Sequence, residues 1–175
     1  MTLASRKPIT NIGEDVIARL QIRNVVADLT ESWDLDRSVT HVIQLAADGS
    51  STAYSQRAAD EFVKICQRLI EWCELSDTTP VVFHASSGAC AGYVPLSKSH
   101  NDSESWSKTA FIEGRLTAER LLQDSDTRGT LDLRIARLYS FIGRHLSEKT
   151  QYAVPSFVSM AIVNRIIHLK GNPLT

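Results

Sequence analysis

Two adjacent hydroxyls, Ser86 and Ser87, follow the apolar run 80–85 and lead directly into Gly88. A hydroxyl at the end of a buried strand either satisfies the backbone as the chain turns or hydrogen-bonds a reacting group. His84 stands three residues before Ser87, which raises nucleophile-and-base chemistry. That chemistry on an α/β sheet needs a Gly-x-Ser-x-Gly elbow, and none is present. Asp28 closes a second apolar run, 22–27, where a carboxylate either caps the next turn or meets a ligand. Arg134, Arg137 and Arg144 sit on or near a later run; Arg144 is placed to meet a phosphate, with paired surface charge as the default for all three. The five histidines are scattered, and Cys66, Cys73 and Cys90 have neither metal-binding spacing nor an even number, so no metal site is expected. Reduced thiols fit a cytoplasmic protein.

The elements that must position these groups are read from periodicity. Residues 22–27, 41–46, 80–85 and 131–138 are short runs, 41–46 rich in β-branched residues, and read as strands. Residues 53–74 are amphipathic, with Phe62, Ile65, Leu69 and Trp72 at helical spacing; 109–123 and 154–170 also read as helices. Polar or acidic stretches at 28–38, 97–108 and 125–130 read as loops. The alternation argues for a Rossmann-like three-layer αβα fold with a mostly parallel sheet, whose ligands lie at the carboxyl ends of the strands.

The chain has 175 residues, 43% hydrophobic and 22% charged, enough for one domain with a core. A net charge of −1 gives no general attraction to nucleic acid or to anionic membrane. No apolar run approaches the roughly 20 residues of a membrane helix, and the first residues have no secretory apolar core.

Each strand ends in a short tail: Ala27-Asp28-Leu29, Leu45-Ala46-Ala47, then Ser86 through Gly92, then Tyr139-Ser140-Phe141-Ile142-Gly143. In that order, with Glu113-Gly114-Arg115-Leu116-Thr117-Ala118-Glu119 between the third and fourth, the tails resemble the extended short-chain dehydrogenases/reductases, the NAD-dependent epimerase/dehydratase family of nucleotide sugars. The resemblance runs from about residue 24 to the last residue. It implies one incomplete Rossmann-like domain, sheet and helices over 22–150 and the start of a substrate-binding part over 151–175. It implies NAD as cofactor and a nucleotide sugar as ligand. Asp28 and Leu29 would meet the adenine, while Ala46 and Ala47 would let the cofactor lie against the backbone. Ser87 would hydrogen-bond the reacting hydroxyl, with Ser86 and Phe141 beside the substrate.

The departures bear on activity. The family's catalytic pair is Tyr-x-x-x-Lys; here Phe111 and Arg115 stand at those positions, with Arg115 left to the cofactor side. Phenylalanine has no proton to give, and an Arg fork does not replace a compact ammonium. Tyr93 and Lys108 are the nearby residues that could substitute, with solvated loop as the plainer reading for Lys108. No G-x-x-G-x-x-G loop precedes Ala27, where Gly13 is the one glycine. An NAD-dependent enzyme impaired as it stands, a non-catalytic binding protein, and a partner-dependent subunit are the resulting functional classes. In the family's full fold the first strand is central. Without the first two strands, 41–46 would have a bare edge. Two repairs are expected: strand 22–27 crosses over to pair with it, or another chain, as a homo-oligomer or companion, covers it.

Overall fold

The computed structural model describes residues 1–7, 13–47, 55–92, 103–139 and 153–164. Two compact units divide the chain, Met1–Arg137 and Leu138–Thr175. The first holds two parallel sheets with helices, a Rossmann-like α/β arrangement.

β1 (Thr2–Ser5), α1 (Glu14–Leu20) and β2 (Arg23–Val26) form a small βαβ unit. Its strands pair in parallel, Thr2 opposite Arg23 and Ser5 opposite Val26. Neither β1 nor α1 is legible from periodicity: Leu3 is the one large apolar residue of β1, and α1 buries none of its side chains. The expected crossover of strand 22–27 onto 41–46 does not occur, because β2 bonds β1 instead. The short connection through α1 brings β1 alongside, whereas the helix-free segment after β2 is tied elsewhere. Trp33 Nε1 donates to the Leu29 carbonyl at 3.0 Å, Trp72 Nε1 donates to the Leu35 carbonyl at 3.4 Å, and the two indoles lie 6.4 Å apart.

β3 (His41–Gln44), α2 (Gln56–Glu74) and β4 (Val81–Ser87) form a second βαβ unit, with β3 and β4 parallel and Gln44 opposite His84. Ser55 caps α2 by accepting from the Ala58 amide at 3.2 Å. α2 buries Phe62, Ile65, Cys66, Leu69, Ile70, Trp72 and Cys73, the stripe that its spacing predicts. α3 (Ser103–Thr127) packs against it, contributing Ala118 and Leu122 to one core with Leu69, Val82 and Leu131. The helices lie close together at Gly114, where an added Cβ would lie 2.8 Å from that of Ala59. β5 (Asp132–Leu138) completes the order β3-β4-β5.

α3 is longer than the sequence reading at both ends. Residues 103–108, read as loop, are helical. At the other end Ser125 is fully buried, and the helix continues to Thr127 before Gly129 turns the chain at φ 78°. In the second unit α4 spans Ala153–Asn164; the rest of the expected helix 154–170 lies outside the described residues.

Candidate functional site

Ser87 ends β4, and its Oγ accepts from the Ala89 amide at 3.2 Å, capping the 3-10 turn Gly88–Cys90. Ser86 points inward and is buried. Its hydroxyl donates to Glu119 Oε1 at 2.5 Å, and Arg137 on β5 grips the same carboxylate, Nε to Oε1 at 3.0 Å and Nη2 to Oε2 at 2.6 Å. Burial alone would raise the Glu119 carboxyl; hydrogen bonds from Arg137 and Ser86 and the Arg137 charge outweigh it, and the group sits below its ordinary range. Glu119 is the residue sequence reasoning missed. It lies 33 positions from Ser86 and 18 from Arg137, so spacing carries no trace of the triad.

Phe111 and Arg115 lie one turn apart on α3. The Arg115 guanidinium carbon sits 3.6 Å from the centroid of the Phe62 ring and 5.0 Å from that of Phe111. Such stacking spends the flat face of the cation on aromatic carbon. Phe62 also meets His84, ring centroids 5.7 Å apart. His84 is fully buried, and neither ring nitrogen has a hydrogen-bond partner among the described residues. Burial first, then the Arg115 charge, push its pKa down to about 4, against a smaller opposing pull from Glu119. Opposite it in register, Gln44 donates through Nε2 to the Ala46 carbonyl at 2.9 Å while its Oε1 has no partner.

Four of the residues expected at a cofactor, Asp28, Leu29, Ala46 and Ala47, line one cavity of about 460 Å³. Arg115 is not in its lining. Asp28 Oδ1 accepts from the Thr30 amide at 2.9 Å and from the Thr30 hydroxyl at 2.8 Å, bonds that hold its pKa below the ordinary value, with help from the Arg6 and Lys64 charges. Its carboxylate thus caps the turn while lining the cavity. Arg6, which follows the unread strand β1, lines the same cavity and pairs with Glu61 at 3.7 Å. Tyr93, Phe141, Lys108's side chain, Arg144 and the segment 165–175 lie outside what is described. Among the described residues no group of three or more His, Cys, Asp or Glu could hold a metal, and no helix is long and apolar enough to cross a membrane.

An adenosine moiety fits this cavity: small Ala46 and Ala47 admit a flat ring, and Asp28 and Arg6 supply polar partners.

The family model of NAD dependent epimerases/dehydratases matches residues 3–173. No curated protein matches the sequence. Among solved structures, UDP-glucuronic acid 4-epimerase from Bacillus cereus, in complex with NAD, is 16% identical, with a TM-score of 0.55, over 85% of this chain and 51% of that one. UDP-N-acetylglucosamine 4-epimerase from Methanobrevibacter ruminantium, in complex with UDP-N-acetylmuramic acid, is 21% identical, with a TM-score of 0.59, over 81% and 47%. RMD from Pseudomonas aeruginosa, complexed with NADPH, is 17% identical, with a TM-score of 0.58, over 85% and 57%. The chain spans about half the length of these structures.

Proposed function

The chain belongs to the NAD dependent epimerase/dehydratase family, and within it we propose that these 175 residues form a nucleotide-binding scaffold that does not by itself carry out epimerase or dehydratase chemistry. The observation that carries this reading is the pair Phe111 and Arg115. The ring at 111 has no proton to exchange with a substrate hydroxyl, and the cation at 115 stacks on Phe62. Loss of a general acid/base group typically lowers a rate by about 10²–10⁴. Ser87 retains a hydroxyl beside the place where a nucleotide sugar would react, but its oxygen accepts a backbone bond from its own turn. The ligand class is a nucleotide, NAD(P) or a nucleotide sugar, entering at Asp28, Leu29, Ala46 and Ala47 with its adenosine or nucleoside end.

Calorimetric titration with NAD⁺, NADH and NADPH, with the oligomeric state fixed by light scattering, tests the binding half. Turnover assays on UDP-sugars test the other half, with the unaltered chain and with Phe111→Tyr/Arg115→Lys. Weak nucleotide binding without turnover in the unaltered chain is the expected result. Epimerisation or dehydration by the unaltered chain above the background rate refutes the proposal.

A further inference from the structure

Ser86 and Ser87 are adjacent and chemically identical, yet at the end of β4 one is buried and the other caps the turn that follows. Successive side chains of a strand alternate between its faces, so a one-residue slip at the strand end would exchange the two. Serine chemistry gives no preference between them. The Glu119 carboxylate does. It is 3% exposed and stands on the inward face, where a buried charge needs donors. Arg137 supplies two bonds and Ser86 the third. A hydrogen bond to an ionised acceptor is roughly twice as strong as one between neutral groups. Ser86 gives its only proton to Glu119, so toward Cys90 Sγ, 3.9 Å away, its oxygen can only accept. Burial raises the Cys90 pKa, so the thiol keeps the proton that this contact uses. Cys90 is the last residue of the turn Gly88–Cys90 and is itself 4% exposed. A continuous chain of polar contacts thus runs from Arg137 on β5 through Glu119 on α3 and Ser86 on β4 into the turn that Ser87 caps.

We infer that Glu119 is a positioning residue: by drawing the Ser86 hydroxyl inward it sets the register of the end of β4, fixes the turn 87–90, and leaves Ser87 as the hydroxyl presented at the site. An ion pair that only tied α3 to β5 would leave the turn's geometry independent of Glu119. Where ligand binding is concerned, the inference rests on the proposed place of Ser87 beside a nucleotide sugar; where the turn is concerned, it rests on the contacts alone.

The test follows the turn with no ligand present, so a failure of the nucleotide proposal cannot be mistaken for a failure of this one. Cys90 reports opening of the turn, and Cys66, fully buried in α2, reports unfolding of the whole chain. The full chain is labelled with a soluble thiol reagent at pH 8, in urea below the unfolding transition, and each cysteine is followed by mass spectrometry. In Ser86→Ala and in Glu119→Leu the Cys90 rate relative to Cys66 should rise about tenfold, the size expected from losing one hydrogen bond to a charged group. The double variant should rise no further than Glu119→Leu alone, because both changes remove the same contact. If Glu119→Leu does not fold, Glu119→Gln takes its place; its weaker neutral acceptor should give a rise of about threefold. An unchanged ratio in Ser86→Ala overturns the inference, because the turn then opens only with the whole chain. Rises that add in the double variant overturn it as well, because Glu119 and Ser86 then act separately.

Discussion

Substituting His84 by leucine should flatten the chain's stability against pH. The imidazole is fully buried, has no partner for either nitrogen among the described residues, and titrates at about 4 instead of 6.5. Its folded pKa is depressed, so between these values the unfolded chain binds the extra proton and the folded chain does not. Stability from this group is therefore complete above about 6.5 and lost as pH falls toward 4. Applied to those two pKa values, linkage makes the native chain about 2 kcal/mol less stable at pH 5 than at pH 7 through His84 alone. For a domain of this size that is roughly 4–8 °C of melting temperature. Leucine has nearly the same volume, leaves no polar atom unpaired, and keeps contact with Phe62. Urea unfolding at both pH values, on the native chain and on His84→Leu, gives the difference directly. The variant should lose the drop of about 2 kcal/mol and match or exceed the native chain at pH 7. An undiminished drop in the variant, or a His84 resonance titrating near 6.5 in the folded protein, refutes the reasoning.

Three more outcomes follow from the packing and the ion pair. Gly114→Ala gains about 1 kcal/mol of helix propensity, but its methyl meets Ala59 at 2.8 Å and that residue's backbone at 3.1 Å, so thermal unfolding should show a net loss of about 1–2 kcal/mol. Ala59→Gly in the same chain should restore part of that loss. Glu119→Gln should cost about 1–3 kcal/mol at pH 7, the lower end because Arg137 is 39% exposed and keeps access to water. The Glu119 carboxyl is held low when folded, so that cost is fully present above its unfolded pKa and should vanish in acid as the folded carboxyl protonates. Burial pushes the Cys66 and Cys73 thiols up to about 12; mass spectrometry after thiol labelling at pH 8 should find both unmodified until the chain is unfolded.

The strands and helices that carry strong periodicity were legible in the sequence, because α2 buries one stripe and β3, β4 and β5 are short apolar runs. β1 and α1 were not: a strand whose one large apolar residue is Leu3 and a helix with no buried side chain leave no pattern to find. That omission cost the pairing of β2 as well, since a strand cannot be assigned to a partner that has not been seen. At the site, the grouping of Asp28, Leu29, Ala46 and Ala47 followed from reading strand ends. Contacts between distant segments did not: Glu119 between Ser86 and Arg137, Arg115 on Phe62, and Gln44 opposite His84 are set by register and by how α3 lies on α2.

Trp33 and Trp72, with centroids 6.4 Å apart and interplanar angle 40°, both line the cavity between β1 and β3. They are two of the chain's three tryptophans, the third being Trp106 in the first turns of α3. Indole emission shifts and quenches with local polarity and with the approach of a neighbouring group. Trp33 and Trp72 therefore give the protein two intrinsic fluorophores in the wall of its cavity. A nucleotide that enters changes the surroundings of these rings, so occupancy can be followed in real time on the unlabelled protein.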